Sequence, residues 1–506
     1  MSQKLPHTSL FRAEAVRELD DLAIRALKIS PFELMQRAAS SILNELVEEY
    51  GVPTLLHVFC GSGNNGGDAY IVASMAAEKN IPVRIYEIGE PKKRSEATKL
   101  ARSLCTEGSP EFLEFSPSCN LSEGIIVDGL LGTGFKGELN KSFDKVIQSI
   151  NSCSLPILSI DIPSGLCSNT GAVSSIATRA DLTVTFIGAK QGLFTGRGPE
   201  FSGDVIFDSL DVPKSVFEEK NPSAELLSLE QLLELMPDAG SSAHKHNRGH
   251  CMTIGGDLGT GGACLLAAQA SLIIGSGLSS LATRPEHVSA SLVRQPEIMA
   301  CGVLSGQELE PLLLKPSVLV IGPGLGRSSW SEQMLQKAMA TDLPLVVDAD
   351  ALNILADGRV VSDFSSRSWV ITPHSGEAAR LLGITSSEVE SDRFATVLRL
   401  QEKYNATVIL KGPGTIISSL CGETIKICPY GNSGMATGGM GDILSGIIGG
   451  LIAQGMSVLE ASELGVCLHS SAADQAAELF GRRGLVAGEI FDYLRSLLNP
   501  LSDEFI

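Results

Sequence analysis

The chain has 506 residues and a mass of 53.3 kDa, more than one hydrophobic core serves, so two or three domains are expected. Apolar residues at 43% can fill such cores, and many of the 52 glycines follow short apolar runs, as in loops that bring backbone close to a ligand. A net charge of -19, no Lys/Arg-rich stripe and only 5% aromatic residues argue against nucleic-acid binding. The eleven cysteines include no C-x-x-C pair, which fits reduced thiols in a cytoplasmic protein. The amino-terminal run lacks the apolar core of a signal peptide, and no apolar stretch reaches the ~18 residues of a membrane span. The expected partners are small molecules, with neither nucleic acid nor membrane, and a homo-oligomer is expected.

In chain order, the apolar run from Pro53 to Cys60 reads as a strand leading into GSGNNGGDA and then the helical pattern YIVASMAAEKN. VRIYEIG is the next strand, followed by a polar helical stretch around residues 92–105. IIVD, LPILSID, DLTVTFIG and DVIFDSL continue the alternation, which predicts an α/β unit with a mostly parallel sheet covered on both faces. The Pro-containing DVPKSVFEEKNPSAE is an exposed connection, so the domains are placed at residues 1–220 and 221–506. Beyond it, CMTIGG, PSVLVIG, PLVVDAD and ATVILKG read as strands of a second α/β unit. TIISSLCGETIKICPYG reads as a hairpin around a Cys-Gly-Glu turn. The segments near residues 263–278 and 443–453 read as buried helices, and residues 458–479 continue as helix.

Three strand-end loops of the first half carry chemistry. GSGNNGGD, residues 61–68, is neither a strict GxGxxG fingerprint nor a P-loop, because no GK[ST] follows. Its two asparagines and a carboxylate fit specific polar binding at a sheet edge; the plainer alternative is a tight turn with Asp68 capping the helix. DGLLGTGFKG (128–137) and DIPSG (161–165) are the other two. Asn65, Asp128 and Ser164 can form an oxygen-rich cation cage, or simply stabilise the loops. Asp161 is a candidate general base if partly desolvated, and Lys190 a candidate partner for a ligand phosphate. Together CGSGNNGGDA, DGLLGTGFKG and DIPSGL resemble the NAD(P)H-hydrate epimerase family over roughly residues 10–215. The resemblance implies a Rossmann-like fold and substrate contacts at Asn64, Asn65, Gly66, Gly67 and Asp68, and at Gly132, Thr133, Gly134, Phe135, Lys136, Gly137 and Glu138. It further implies K+ on Asn65, Asp128 and Ser164, with Asp161 binding substrate and moving the proton. Ala69 replaces the family's last loop glycine; alanine suits the first turn of a helix, so the site is expected to survive.

In the second half, GNSGMATGGMGDILSG (431–446) sets glycines just before an apolar helix expected to begin near Asp442. Backbone amides there suit a transferring phosphoryl group, with Asp442 placed to accept a hydroxyl proton; the alternative is a plain helix cap. The helix dipole is expected to hold the Asp442 pKa low. KGPGT at 411–415 suits a nucleotide, His374 in TPHSGE a substrate hydrogen bond, and Asp348 and Asp350 in VDADALN water, metal or substrate. The cluster HKHNRGH at 244–250 reads as a mobile basic loop rather than a zinc site. This half resembles the ribokinase-like superfamily, and more closely the ADP-dependent NAD(P)H-hydrate dehydratases, over about residues 235–495. The resemblance implies substrate contacts at Ala263, Gly326, His374 and Asp442, and nucleotide contacts at Lys411, Gly412, Pro413, Gly414, Thr415 and Gly441. HKHNRG replaces the common HKG-x-x-G entry pattern, a change expected to touch mobility more than chemistry.

The expected fold is two three-layer α/β domains, Rossmann-like then ribokinase-like. The expected activity is repair of hydrated nicotinamide cofactors: epimerisation of R- and S-NAD(P)HX, then dehydration of the S form with ADP (or ATP) and Mg2+, releasing AMP and phosphate. The alternative is a vitamin or sugar kinase behind a nucleotide-binding module.

Overall fold

A computed structural model of the chain describes residues 9–106, 110–117, 119–135, 137–237, 248–360, 364, 368–420 and 424–499. They form two compact units, Met1–Glu225 and Leu226–Ile506; the junction expected at 220/221 falls within the first, just before the short strand Ala224–Leu226.

The first unit holds a seven-stranded, all-parallel sheet. Its order is Glu111–Leu113, Val83–Glu87, Leu56–Cys60, Ile125–Gly129, Ile157–Ile160, Leu182–Phe186, Asp204–Asp208. Alternation splits the strands between two cores. Leu56, Val58 and Cys60 pack with helices Ala13–Leu27, Pro31–Tyr50 and Asn64–Glu78, whereas Phe59 and Ile126 pack with helix Lys141–Ser152. The chain leaves Leu56–Cys60 toward one edge and returns as Ile125–Gly129 on its other side, so a switch point lies between those two strands.

In the second unit the order is Met299–Gly302, Leu278–Thr283, His250–Ile254, Val318–Ile321, Leu345–Val347, Trp369–Ile371, Thr407–Leu410, Thr415–Ser418, Ile425–Cys428. Pairing is parallel as far as Thr407–Leu410 and antiparallel beyond it. The expected hairpin pairs Ile416 with Ile427; its Cys-Gly-Glu turn lies outside the described residues. The two apolar segments are helices Gly261–Ile273 and Met440–Ala453, packed on each other, and helix Val458–Phe480 joins the same core as Met440–Ala453. Every described cysteine is free, and among the described residues no helix is long and apolar enough to cross a membrane.

Candidate active sites

At the switch point of the first unit opens a cavity of about 1140 Å³. Asn64, Asn65, Asp68, Gly132, Thr133, Gly134, Phe135 and Asp161 line it; Gly66, Gly67, Gly137 and Glu138 are not part of the wall, and Lys136 lies outside the described residues. The helix starts earlier than the sequence pattern indicates. Gly63 is its N-cap and Asn64–Asp68 form its opening turns, so Asp68 does not cap it. Gly66 is required by close approach, since a Cβ there would sit 2.1 Å from Gly61 O. Ala69 lies fully buried inside this helix, where its methyl group does no harm.

Asp161 follows the strand Ile157–Ile160 with φ of 66°, an unusual backbone for a residue with a side chain. Its Oδ1 accepts from Thr185 Oγ1 at 3.1 Å, Phe186 N at 3.4 Å and the Lys190 ammonium. Lys190 is buried and also donates to Thr185 Oγ1 at 3.1 Å and Phe186 O at 3.2 Å. It is therefore committed to Asp161, Thr185 and Phe186 rather than free to serve as the candidate phosphate partner. Burial, then the Asp161 and Asp20 charges, raise the Asp68 carboxyl well above its ordinary range. Asp20 also lines the cavity and was absent from the sequence reading.

Behind the wall, the fully buried Asp128 accepts four hydrogen bonds: Leu130 N at 3.2 Å, Ser159 Oγ at 3.0 Å, Ser164 N at 2.9 Å and Ser164 Oγ at 2.6 Å. Ser164 Oγ also accepts from Leu131 N at 2.9 Å, while Asn65 Nδ2 donates to Leu131 O at 2.9 Å. The loop at Leu131 thus gathers Asn65, Asp128 and Ser164. Asn65 Oδ1 is buried without a hydrogen-bond partner, so an acceptor is left over beside a buried carboxylate. That oxygen-only donor set fits a monovalent cation such as K+.

In the second unit the loops leave the carboxyl edge of the parallel strands. Helix Met440–Ala453 begins two residues before Asp442, with Gly439 as N-cap at φ 96° and no side-chain cap. Asp442 is not a cap, and it makes no hydrogen bond or ion pair among the described residues. The amides of Met440, Gly441 and Asp442 precede the first helical bond, Ile443 N to Gly439 O at 3.0 Å, and remain available to an anion. Beside them, buried Asp348 binds Lys411 Nζ at 2.7 Å and accepts from Ser445 Oγ at 2.7 Å. Burial alone would push Asp348 up, but the Lys411 ammonium and these hydrogen bonds hold it below the usual carboxylate range. A Cβ on Gly441 would lie 3.2 Å from Lys411 Nζ, so the glycine keeps that approach open.

Burial, then the Asp348 charge, push Asp442 up to about 6 against the pull of Lys411. This corrects the expectation of a low value: desolvation and the like charge of Asp348 set the direction. Asp350, which adds to the rise, accepts from Gly326 N at 2.9 Å. Gly324 stands against Ala263 in the first turn of Gly261–Ile273, with 3.2 Å between their Cβ positions. Burial and, more weakly, the Asp442 charge raise the neighbouring Cys264 thiol to about 12, so this helix borders the same site. His374 caps helix Ser375–Leu382, its Nδ1 accepting from Gly376 N at 2.9 Å, so Nε2 carries the hydrogen. Burial and the Lys411 charge lower its pKa, which keeps the ring neutral. In KGPGT, Thr415 Oγ1 donates to Gly412 O at 3.0 Å, and Gly414 turns the chain at φ 57°. Beneath it, buried Arg393 donates to Leu410 O at 3.0 Å and Lys411 O at 3.3 Å. Arg393 carries no motif in the sequence, and Ser445, although it lies in GNSGMATGGMGDILSG, has no assigned role there. Asp257, paired with Arg284 at 2.8 Å, is not among the sequence candidates, although it directly follows the strand run CMTIGG. His244, Lys245, His246 and Asn247 lie outside the described residues. Among the described residues no group of three or more His, Cys, Asp or Glu is placed to hold a metal ion.

Two family models match the chain: one described as YjeF-related protein N-terminus over residues 31–192, and one described as NAD(P)H-hydrate dehydratase over residues 251–496. A bifunctional NAD(P)H-hydrate repair enzyme of Coxiella burnetii is 43% identical over 97% of this chain and 100% of its own length. The Escherichia coli enzyme of the same description is 38% identical over 98% of this chain and 95% of its own. Among solved structures, a ribokinase-like superfamily protein from Enterococcus faecalis matches 55% of this chain and 97% of its own, with 29% identity and a TM-score of 0.51.

Proposed function

The chain belongs to the family of bifunctional NAD(P)H-hydrate repair enzymes, and from that premise we propose how its two sites divide the work. The first unit interconverts the R and S hydrates in the cavity at its switch point. The second converts the S hydrate to NAD(P)H, with ADP as phosphoryl donor. The observation that carries this reading is Asp442: an unpartnered carboxylate, raised to about 6, beside free amides at a helix start.

Hydroxide leaves a carbon poorly; a phosphate ester leaves well. On this reading the substrate hydroxyl attacks the terminal phosphorus of ADP as Asp442 takes its proton. AMP departs, and the first-turn amides hold the charge on the transferring oxygens. The lone pair of the ring nitrogen then expels phosphate, and the neighbouring ring carbon gives up a proton to the departing phosphate, which forms the ring double bond and restores the conjugation of NAD(P)H. Lys411, kept charged by Asp348, adds positive charge beside the nucleotide, and the neutral His374 offers Nε2–H to substrate. Mg2+, where bound, would be carried by the nucleotide phosphates, whose charge it would screen. In the first unit K+ would rest on Asn65, Asp128 and Ser164, where it offsets the buried charge and steadies the loop at Leu131.

The test is a coupled assay on mixed NADH hydrate epimers with ADP or ATP. Recovery of reduced-nicotinamide absorbance with stoichiometric AMP from ADP is expected. Build-up of a stable phosphorylated small molecule, with no absorbance recovered, overturns the reading in favour of a kinase.

A further inference from the structure

Two carboxylates in the wall of the first cavity, Asp20 and its neighbour Asp21, come from neither the glycine loops nor the strand ends. Asp20 stands on helix Ala13–Leu27, which presents Val16, Asp20 and Ile24 to the cavity at successive i, i+4 positions. The helix is fixed at its start: Ala13 N donates to Asn169 Oδ1 at 2.8 Å, and Asn169 Nδ2 donates to Glu14 Oε2 at 3.1 Å. Asp161 has Oδ1 occupied by Thr185, Phe186 and Lys190, whereas Asp20 makes no hydrogen bond or ion pair among the described residues. The charged groups facing Asp20 are Arg17 and Asp21 of its own helix, Asp68, Asp161 and Lys190. Burial dominates their sum and lifts Asp20 to about 7, so near neutrality this carboxyl is available in both protonation states.

We infer that Asp20 is a second catalytic residue of the epimerising cavity, the acid that protonates the hydroxyl leaving the hydrated nicotinamide ring. The inference rests on the reading of this unit as the epimerising one, and deepens it. In the forward step the Asp20 O–H bond breaks and its proton passes to the hydroxyl oxygen. The ring carbon–oxygen bond breaks to release water, and the lone pair of the ring nitrogen forms a carbon–nitrogen double bond. In the return step water adds to that carbon, the double-bond electrons go back to nitrogen, and the proton of the adding water passes to a cavity carboxylate, Asp161 or Asp20. Water is the only co-reactant, and an attack on either face of the planar ring gives either epimer.

The experiment uses the full chain and a purified single epimer of NADH hydrate. Interchange above the spontaneous rate is followed by chromatography from about pH 5 to pH 9, for wild type, D20N, D20E and D161N. Wild-type kcat should fall on the alkaline side as Asp20 loses its proton. D20N should lower kcat about 100-fold, abolish that alkaline limb and leave KM within about threefold, while D20E should keep the limb with a partial rate. D20N that retains the wild-type rate, or an unchanged limb, overturns the role of Asp20. Should D20N fail to accumulate, D20E decides: a retained limb supports the role and a lost one overturns it. Wild-type interchange no faster than the spontaneous rate brings down the underlying reading and this inference with it. That outcome is distinct from slow D161N beside intact D20N, which overturns the Asp20 role alone.

Discussion

At residue 442 activity and stability pull in opposite directions. Its carboxyl rises from the ordinary 3.8 to about 6 in the folded chain, chiefly through burial and the Asp348 charge. Between those values the folded state holds a proton that the unfolded state has released. The stability this group contributes is full below the unfolded value and is lost as pH climbs through about 6. At neutral pH the charged Asp442 is therefore a cost to the fold, and Asp442→Asn should raise Tm there, by about 2–4 °C for each kcal/mol recovered. The same change should lower dehydration of the S hydrate at least about 100-fold, since the amide accepts no proton. In the wild type, kcat/KM for dehydration should fall on the acid side with a midpoint near 6. Thermal unfolding and a pH–rate series check both, and a dehydration rate flat to about pH 4.5 would remove Asp442 from the base role.

At the scale of elements, the position of that carboxylate depends on how closely two helices meet. Gly446 lies one turn beyond Asp442, and a Cβ there would fall 2.0 Å from Ala267 O and 2.8 Å from Ala270 Cβ. Gly446→Ala must push Met440–Ala453 off Gly261–Ile273, at a cost of about 1–3 kcal/mol, and it moves the amides that the proposed mechanism turns toward the phosphoryl group. A lower Tm and reduced dehydration are expected, with epimer interchange unchanged; dehydration at the wild-type rate would show that the first turn tolerates the displacement. The helices of this pair were legible as apolar segments, and the central parallel strands as apolar runs, because burial on both faces leaves no alternation to blur. Leu278–Thr283 was not legible. Its Ser279 and Ser280 interrupt the apolar run, yet both are buried and satisfied, Ser279 by Ala268 O at 2.8 Å and Ser280 by His250 at 2.7 Å. Ala13–Leu27 and Pro31–Tyr50 were passed over because they precede the first strand and carry no glycine-rich loop, and Asp20 went unnoticed with them.

For the molecule as a whole, each set of functional loops was legible because strand-end glycines and carboxylates sit close together in sequence. Groups that act from behind, such as Arg393 on Lys411 O, were not, since only folding brings position 393 to position 411. On the proposed division of labour the two sites use different residues for different steps, so they should separate by mutation. Asp161→Asn removes one charge of the pair with Lys190 and leaves Asp442, Lys411 and Asp348 untouched. Given a mixture of both epimers and excess ADP, wild type should restore the reduced nicotinamide in one smooth phase, because interchange keeps feeding the S form. Asp161→Asn should give two phases: a fast one, equal in amplitude to the S hydrate initially present, then a slow one set by spontaneous interchange. Added wild-type chain should turn the slow phase fast without changing the total recovered. A single fast phase in the variant would mean that Asp161 is not needed for interchange, and the separation of labour would have to be drawn elsewhere in the cavity.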